Sequence, residues 1–349
     1  MTSPAKKRIG IIGYGKMGQI RANAMTAVGG FEIVKVYDVA LPDDVAYPVA
    51  PTAQDIINDP DIDCVAICVP NYLIKPMITE SLLAGKDVFS EKPPAMNSAE
   101  MAEIARVHAE TGRTLMYGFN HRRHAAIIKM KDVVESEQLG KVLWMRGRYG
   151  KSVDASYFTG WRIDKDLAGG GILLDQGIHM LDLFLHIGGR TFDEVQAMVS
   201  SLYWKTPGIE DNVFAMMRDT ETGMCAQLHS TMTQWRHLFS LEVFMERGSM
   251  VLNGLKTNSA TYGEEILTVS HNRAVAPAAS REQEETFHYP EDFSWENEVE
   301  EFRDVINGAR TQTHGTVDHA VKLMNLVEAI YANDTFVSKT LHNDLQQGN

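Results

Sequence analysis

The sequence predicts an α/β protein in two parts: a parallel, doubly wound sheet first, then a strand-rich second part. Three observations predict it. A short apolar strand runs straight into Gly13-Tyr14-Gly15-Lys16-Met17-Gly18 and a helical pattern follows. Strand and helix patterns then alternate to about residue 120, which is how parallel sheets are built. Beyond Gly188-Gly189 strands dominate.

In the first part, Arg8 to Ile12 is the opening strand, and helical spacing through Ile20, Ala24 and Ala27 ends at Gly29-Gly30. Ile33 to Tyr37 is a second strand, closed by Asp38. A lone G-x-G-x-x-G says little. One that follows a strand, opens a helix and has an acid at the next strand end meets the context of the dinucleotide fingerprint. In that reading Gly13 permits the tight turn, Gly15 admits the pyrophosphate and Gly18 lets helix and strand pack closely. Tyr14, Lys16 and Met17 complete the turn. Asp38 accepts from both ribose hydroxyls and repels a 2′-phosphate, so the expected cofactor is NAD rather than NADP.

Cys64 to Val69 reads as a strand ending in Pro70-Asn71, Pro76 to Ala84 as a helix, and Asp87 to Ser90 as a strand ending in Glu91-Lys92-Pro93-Pro94. Asn97 or Ser98 caps a helix through Thr111, stopped by Gly112, and Thr114 to Tyr117 leads to Gly118-Phe119-Asn120. Ligands bind beyond the C-terminal ends of such strands, where Pro70, Asn71, Glu91, Lys92 and Asn120 all fall. Lys92 there is either the cation beside a reacting oxygen or a solvated loop lysine, and spacing alone leaves both open.

The stretch Gly169-Gly170-Gly171-Ile172-Leu173-Leu174-Asp175-Gln176-Gly177-Ile178-His179 reads as a helix entered through three glycines. Asp175 and His179 share a face at i, i+4 spacing. They read either as acid/base equipment or as a buried, hydrogen-bonded pair. The glycines let another group approach the helix start, where free N–H groups attract negative charge.

Together these motifs resemble the glucose–fructose oxidoreductase/inositol dehydrogenase family. The resemblance implies an N-terminal Rossmann domain (1–121) and a C-terminal α/β domain (122–349) with a large, mostly antiparallel open sheet that serves oligomerisation, as a homodimer or homotetramer. It implies that Lys92, Asp175 and His179 are the catalytic trio: His179 the acid/base, Lys92 the cation orienting the substrate, Asp175 the anchor of a neighbouring hydroxyl. Asn71 and Glu91 would line the nicotinamide ribose, and Trp161-Arg162 would lie near cofactor and substrate. One departure is Ile74, where many relatives carry histidine.

The remaining features fill in the second part. His121 and His124 lack a nearby cysteine or carboxylate to complete a metal set, so hinge and rim roles are expected and no metal. Arg122 and Arg123 either meet an anionic substrate or cover a domain junction. Ala125 to Ser136 is a helix and Lys141 to Tyr149 a strand. In loop 151–168 the aromatics Tyr157, Phe158 and Trp161 either stack on a sugar or nucleobase or pack on the sheet. Strands follow at Val195–Trp204, Asn212–Arg218, Met224–Thr231, Leu238–Met245 and Ser249–Leu252, then an exposed, mobile excursion at 271–286 and helices from Trp295 to Ile306 and Val317 to Val337. Asp182 either orients His179 or lies on the helix surface.

Composition narrows the function. A net charge of −13 over 349 residues without a basic block argues against nucleic acid. The start shows no apolar signal segment and no run reaches membrane-spanning length, so no membrane association is expected. Three sparse cysteines suit reduced thiols and a cytoplasmic location. The expected activity is NAD-dependent oxidation of a secondary hydroxyl on a sugar-like substrate, with nucleotide- or amino-sugars favoured. The alternatives are an inositol or free-sugar dehydrogenase, an NAD-retaining glycosidase that oxidises its sugar transiently, and a non-catalytic NAD sensor.

Overall fold

A computed structural model of the chain describes residues 6–257, 259–271 and 284–334. The excursion expected at 271–286 therefore falls almost wholly outside the described residues, as does the last part of the closing helix.

The first unit begins with β1 (Lys7–Ile12), α1 (Lys16–Val28), β2 (Phe31–Tyr37), α2 (Gln54–Ile57) and β3 (Cys64–Ile67). It continues with α3 (Asn71–Leu83), β4 (Asp87–Glu91), α4 (Ser98–Thr111) and β5 (Leu115–Gly118). In the second unit come α5 (Ala125–Glu135), β6 (Val142–Ser152), α6 (Lys165–Ala168) and α7 (Ile178–Gly188). Strands β7 (Glu194–Ser200), β8 (Asn212–Arg218), β9 (Cys225–Thr231), β10 (Thr233–Met245), β11 (Gly248–Asn253), β12 (Glu265–His271) and β13 (Glu284–Tyr289) follow. Helices α8 (Ser294–Ile306) and α9 (Val317–Ala332) close the described chain.

The units are not two consecutive segments meeting at 121/122. Residues up to Arg123 group with Phe293–Met324, and His124–Asp292 group with the chain from Asn325 on. The return has a packing cause. Val299 and Phe302 of α8 are fully buried in the core of the first unit, and Phe302 packs its ring against Phe31 and Phe89. Burying each such side chain contributes about 1.5–3 kcal/mol. Gly30, at φ +82°, leaves room for Arg303, whose side chain a Cβ there would strike at 2.6 Å.

The first sheet is parallel, in the order β2-β1-β3-β4-β5. A single parallel bridge, Val36 to Val49, adds a vestigial strand outside β2. With it the order is that of a doubly wound dinucleotide-binding sheet, and the strand order reverses between β1 and β3. Asn97 caps α4 by accepting from the Glu100 N–H, and Gly112 ends it at φ +61°. Helix α3 starts at Asn71, earlier than the pattern through Pro76 suggested, because Pro70 supplies the extended N-cap.

The second sheet runs β13-β12-β11-β10-β6-β9-β8-β7, antiparallel at every junction except β6 with β9. Strands alternate along β6: Met145 and Tyr149 are buried while Trp144, Arg146 and Arg148 are exposed. The buried face carries α7, six of whose apolar side chains are at zero exposure; Gly147 makes room for Met180 and Phe184, which a Cβ would meet at 2.4 and 2.8 Å.

Several strand limits differ from the sequence reading. The strand expected to reach Trp204 stops at Ser200, because the Asp211 carboxylate accepts from the Leu202, Tyr203 and Trp204 N–H groups and turns the chain out. Strand β10 starts at Thr233, through a register shift that holds Trp235 at φ +24°. Strand β12 had no reading, and β13 begins at Glu284, inside the stretch expected to be an excursion, because Glu284 to Tyr289 pair with β12.

Candidate active site

The first unit bears the glycine turn. Gly13 sits at φ +91°, and a Cβ there would lie 2.4 Å from the Cys68 carbonyl oxygen of the neighbouring strand end. A Cβ on Gly18 would lie 2.1 Å from the Gly13 oxygen, so helix and strand touch only because it is absent. Gly15 differs: its Cβ position is open except for an Asp38 carboxylate oxygen at 3.8 Å. Gly15 brings no capping side chain to α1 and the first turn has no acidic residue. That start suits a pyrophosphate, and the carboxylate beside it suits ribose hydroxyls. One Asp38 oxygen accepts from the Ala40 N–H at 3.0 Å, which holds the side chain at the turn. The residues present thus fit a bound dinucleotide.

The strand-end residues divide into two kinds. Pro70 and Asn71 stand at the start of α3, and Lys92 is half-buried just past β4, at a cis Lys92–Pro93 peptide. Ile74 is fully buried inside α3. One Glu91 carboxylate oxygen accepts from Arg21 at 2.6 Å. Arg21 is fully buried, also pairs with Glu298 of α8 at 2.7 Å, and lies between the rings of Phe89 and Trp295 at 4.4 and 4.6 Å. Burial pushes Glu298 up to about 7, against the opposing pull of Arg21. Arg21 had no reading from the sequence, since arginine at that helical position looks like a surface residue.

Asn120 donates to the Ser294 hydroxyl at 3.0 Å and meets a His121 ring nitrogen at 3.1 Å. Arg122 is buried and faces His319 at 3.4 Å, a histidine held down at about 4, chiefly by burial. Arg123 pairs with the buried Glu301. In the second unit His124 is buried against Glu265 at 2.8 Å, and no group of three or more potential metal ligands occurs among the described residues.

The second unit bears the Asp-x-x-x-His segment, and its helix does not start as expected. Leu173–Gly177 is a π-helical turn that passes into α7 at Ile178. One Asp175 oxygen accepts from Lys151 Nζ at 2.9 Å and from the Tyr157 hydroxyl at 2.8 Å. Lys151 also lies over the Tyr157 ring at 4.6 Å. Burial, reinforced by the Asp175 charge, raises Tyr157 far above the ordinary phenol value, so it stays a donor. His179 is 6% exposed with its ring 6.2 Å from that of Tyr149. Burial and a hydrogen bond with Tyr262 raise Tyr149 as well. Asp182 is 1% exposed, so it is not a surface residue.

The negative charge expected at the glycine-rich start is the protein's own. Glu210 accepts from the Gly171 and Leu173 N–H groups at 2.7 and 2.9 Å and from the Tyr331 hydroxyl at 2.9 Å. Two of the glycines admit the Glu210 backbone and the Tyr331 side chain. A Cβ on Gly171 would lie 2.1 Å from the Glu210 oxygen, and one on Gly170 would lie 2.2 Å from the Tyr331 hydroxyl.

Trp161 and Arg162 sit on a short 3-10 turn, Gly160–Ile163, where Arg162 stacks on Trp161 at 4.4 Å and faces the Tyr157 ring at 6.0 Å. Loop 151–168 thus contributes Lys151 and Tyr157 to the Asp175 carboxylate. Lys151 and Glu210, like Arg21, carried no sequence signal, being single charged residues with partners far along the chain. A groove of about 800 Å³ on the opposite sheet face, among Trp144, Gln196, Met216 and Gln227, contains none of these residues.

Comparison with known proteins matches both parts. A family model described as "Oxidoreductase family, NAD-binding Rossmann fold" matches residues 7–119, and "GFO/IDH/MocA C-terminal domain" matches 127–251. The chain is 28% identical to 1,5-anhydro-D-fructose reductase of Ensifer adhaerens over 67% of this chain and 72% of that one. It is 25% identical to myo-inositol 2-dehydrogenase of Thermotoga maritima over 74% and 78%. A solved levoglucosan dehydrogenase in complex with NADH shares its fold, with TM-score 0.81, 22% identity and coverage of 94% and 97%. The chain belongs to the GFO/IDH/MocA oxidoreductase family, NAD-linked enzymes that act on sugar and polyol hydroxyls.

Proposed function

We propose that this chain oxidises a secondary hydroxyl of a neutral sugar or polyol, with His179 as the base. Bound NAD supplies the hydride acceptor. His179 takes the hydroxyl proton as the same carbon gives up hydride, and the product is a ketone. Such general base catalysis contributes about 10²–10⁴-fold. Lys92 is assigned to the developing oxygen charge. Asp175 is assigned to a neighbouring hydroxyl, with Lys151 and Tyr157 holding it in place. Pro70, Asn71, Asn120, Trp161 and Arg162 are assigned to the cofactor side, Arg122, Trp161 and Arg162 to the substrate rim.

One observation carries this reading. The Asp175 carboxylate is held by two donors at 2.8–2.9 Å on the same helical segment as the buried His179. The relatives' named substrates, an anhydro-sugar and an inositol, support neutral compounds ahead of the nucleotide- or amino-sugars favoured on the Trp161-Arg162 pattern.

No described helix is long and apolar enough to cross a membrane. The exposed face of the second sheet bears Trp144, Met198, Phe214 and Met216, all at least 37% exposed, which supports a homo-oligomer through that face. Three unbridged thiols fit a cytoplasmic location. The test is His179→Ala: turnover should fall at least 100-fold while NADH affinity stays within about two-fold. Comparable loss of NADH affinity contradicts the role.

A further inference from the structure

We propose that Glu210, seconded by Tyr331, is a positioning residue for the Asp175–His179 pair, an inference that rests on the role proposed for that pair. It starts from what a helix lacks. The first N–H groups of any helix have no partner within it. Here the two that lead into the π-turn, on Gly171 and Leu173, both donate to one buried carboxylate. The contact is returned by backbone, since Ile172 N–H donates to the Glu210 carbonyl at 3.0 Å. Three successive residues are thus bound to one residue 37–39 positions away. The Tyr331 hydroxyl, donating at 2.9 Å, fixes the carboxylate itself from α9.

This arrangement is more than a cap. Gly171 lets the backbone of residue 210 come within 2.1 Å of where a Cβ would stand, and Gly170 does the same for the Tyr331 hydroxyl at 2.2 Å, so the two glycines give Glu210 and Tyr331 access to the segment start. Asp175 lies two residues beyond Leu173 and His179 six. At about 1.5 Å of rise per residue, His179 stands about 9 Å along the axis from the anchored N–H. A tilt of about 6° at the anchor therefore moves the imidazole by about 1 Å, and a misplacement of that size can cost about 10²-fold in rate. Glu210 touches neither Asp175 nor His179 in any contact described; it acts through the backbone they share.

The experiment compares Glu210→Gln and Tyr331→Phe with wild type. Glutamine keeps the volume but sets an amide donor against one of the backbone donors. Four quantities are measured: turnover at 340 nm on a panel of sugars and polyols, NADH affinity by fluorescence, thermal midpoint, and hydrogen exchange of peptides covering 168–182. For E210Q we expect kcat to fall 10–100-fold per folded molecule, NADH affinity within two-fold, and faster exchange confined to that segment. Y331F should lose a few-fold in kcat, and the double variant no more than E210Q.

Wild-type kcat in folded E210Q overturns the proposal, as does unchanged exchange at 168–182. A loss that merely tracks the unfolded fraction also overturns it, since it assigns Glu210 to stability alone. Should the wild type turn over nothing on the panel, the dehydrogenase reading fails instead. Exchange and the His179 ring signals by NMR then judge Glu210: both must move in E210Q, and either one unmoved overturns its positioning role.

Discussion

Replacing Arg21 with methionine should cost the protein far more than its single charge suggests. The guanidinium is fully buried, is paired with Glu91 and Glu298 at 2.6 and 2.7 Å, and is sandwiched by Phe89 and Trp295. Methionine keeps most of the apolar stem but leaves two buried carboxylates facing one another. Breaking a buried pair from one side typically costs about 3–5 kcal/mol, and about 2 kcal/mol more for a desolvated cation–π contact is an upper bound. At about 2–4 °C per kcal/mol, the thermal midpoint should drop on the order of 10 °C.

The cost should depend on pH. Burial raises Glu298 from an ordinary 4.5 to about 7 in the folded protein. The folded state then binds this proton more tightly than the unfolded chain does. Its contribution is complete below about pH 4.5 and is lost as the pH rises through about 7. Without Arg21 the folded value climbs further, so the deficit of R21M against wild type should widen between pH 6 and 8.5. Scanning calorimetry at those two values reads it. A midpoint within 2 °C of wild type at both, or a deficit that shrinks with pH, refutes the reasoning. Adding Glu91→Gln and Glu298→Gln to R21M should recover most of the loss.

Other outcomes follow from the same geometry. Gly18→Ala puts a methyl 2.1 Å from the Gly13 carbonyl oxygen, so NADH affinity by fluorescence titration should fall at least ten-fold as the turn deforms. Asp38→Ala should lower the kcat/KM preference for NAD over NADP by at least ten-fold, and an unchanged preference would free Asp38 of that role. Tyr157→Phe removes a donor to Asp175, a net loss of about 1 kcal/mol in substrate affinity or rate, read as a rise in substrate KM or a fall in kcat of about five-fold with NADH affinity unchanged.

The first unit was legible because its signals are local. A strand, three spaced glycines, a helix and an acid at the next strand end lie within a short stretch, and Gly13 and Gly18 each show a steric reason in the structure. The Asp175 and His179 spacing was equally visible, but the turn that carries them was misread as an ordinary helix. The start of that turn is bound by Glu210, far along the chain, which Tyr331 holds from a helix read only as a closing element. That Glu91 is bound by Arg21 from α1 left no local sign. The return of α8 to the first unit escaped notice for the same reason: helical periodicity shows which face of α8 is apolar, not which core receives it. Long-range partners of lone charged side chains leave no pattern in a single sequence.

The most direct measurement is the growth of 340 nm absorbance when purified protein and NAD meet inositols, free sugars, glycosides and nucleotide-linked sugars in parallel. The account predicts growth with a neutral sugar or polyol, abolished in His179→Ala. A flat trace across the panel, with glycoside cleavage or without it, would contradict a releasing dehydrogenase.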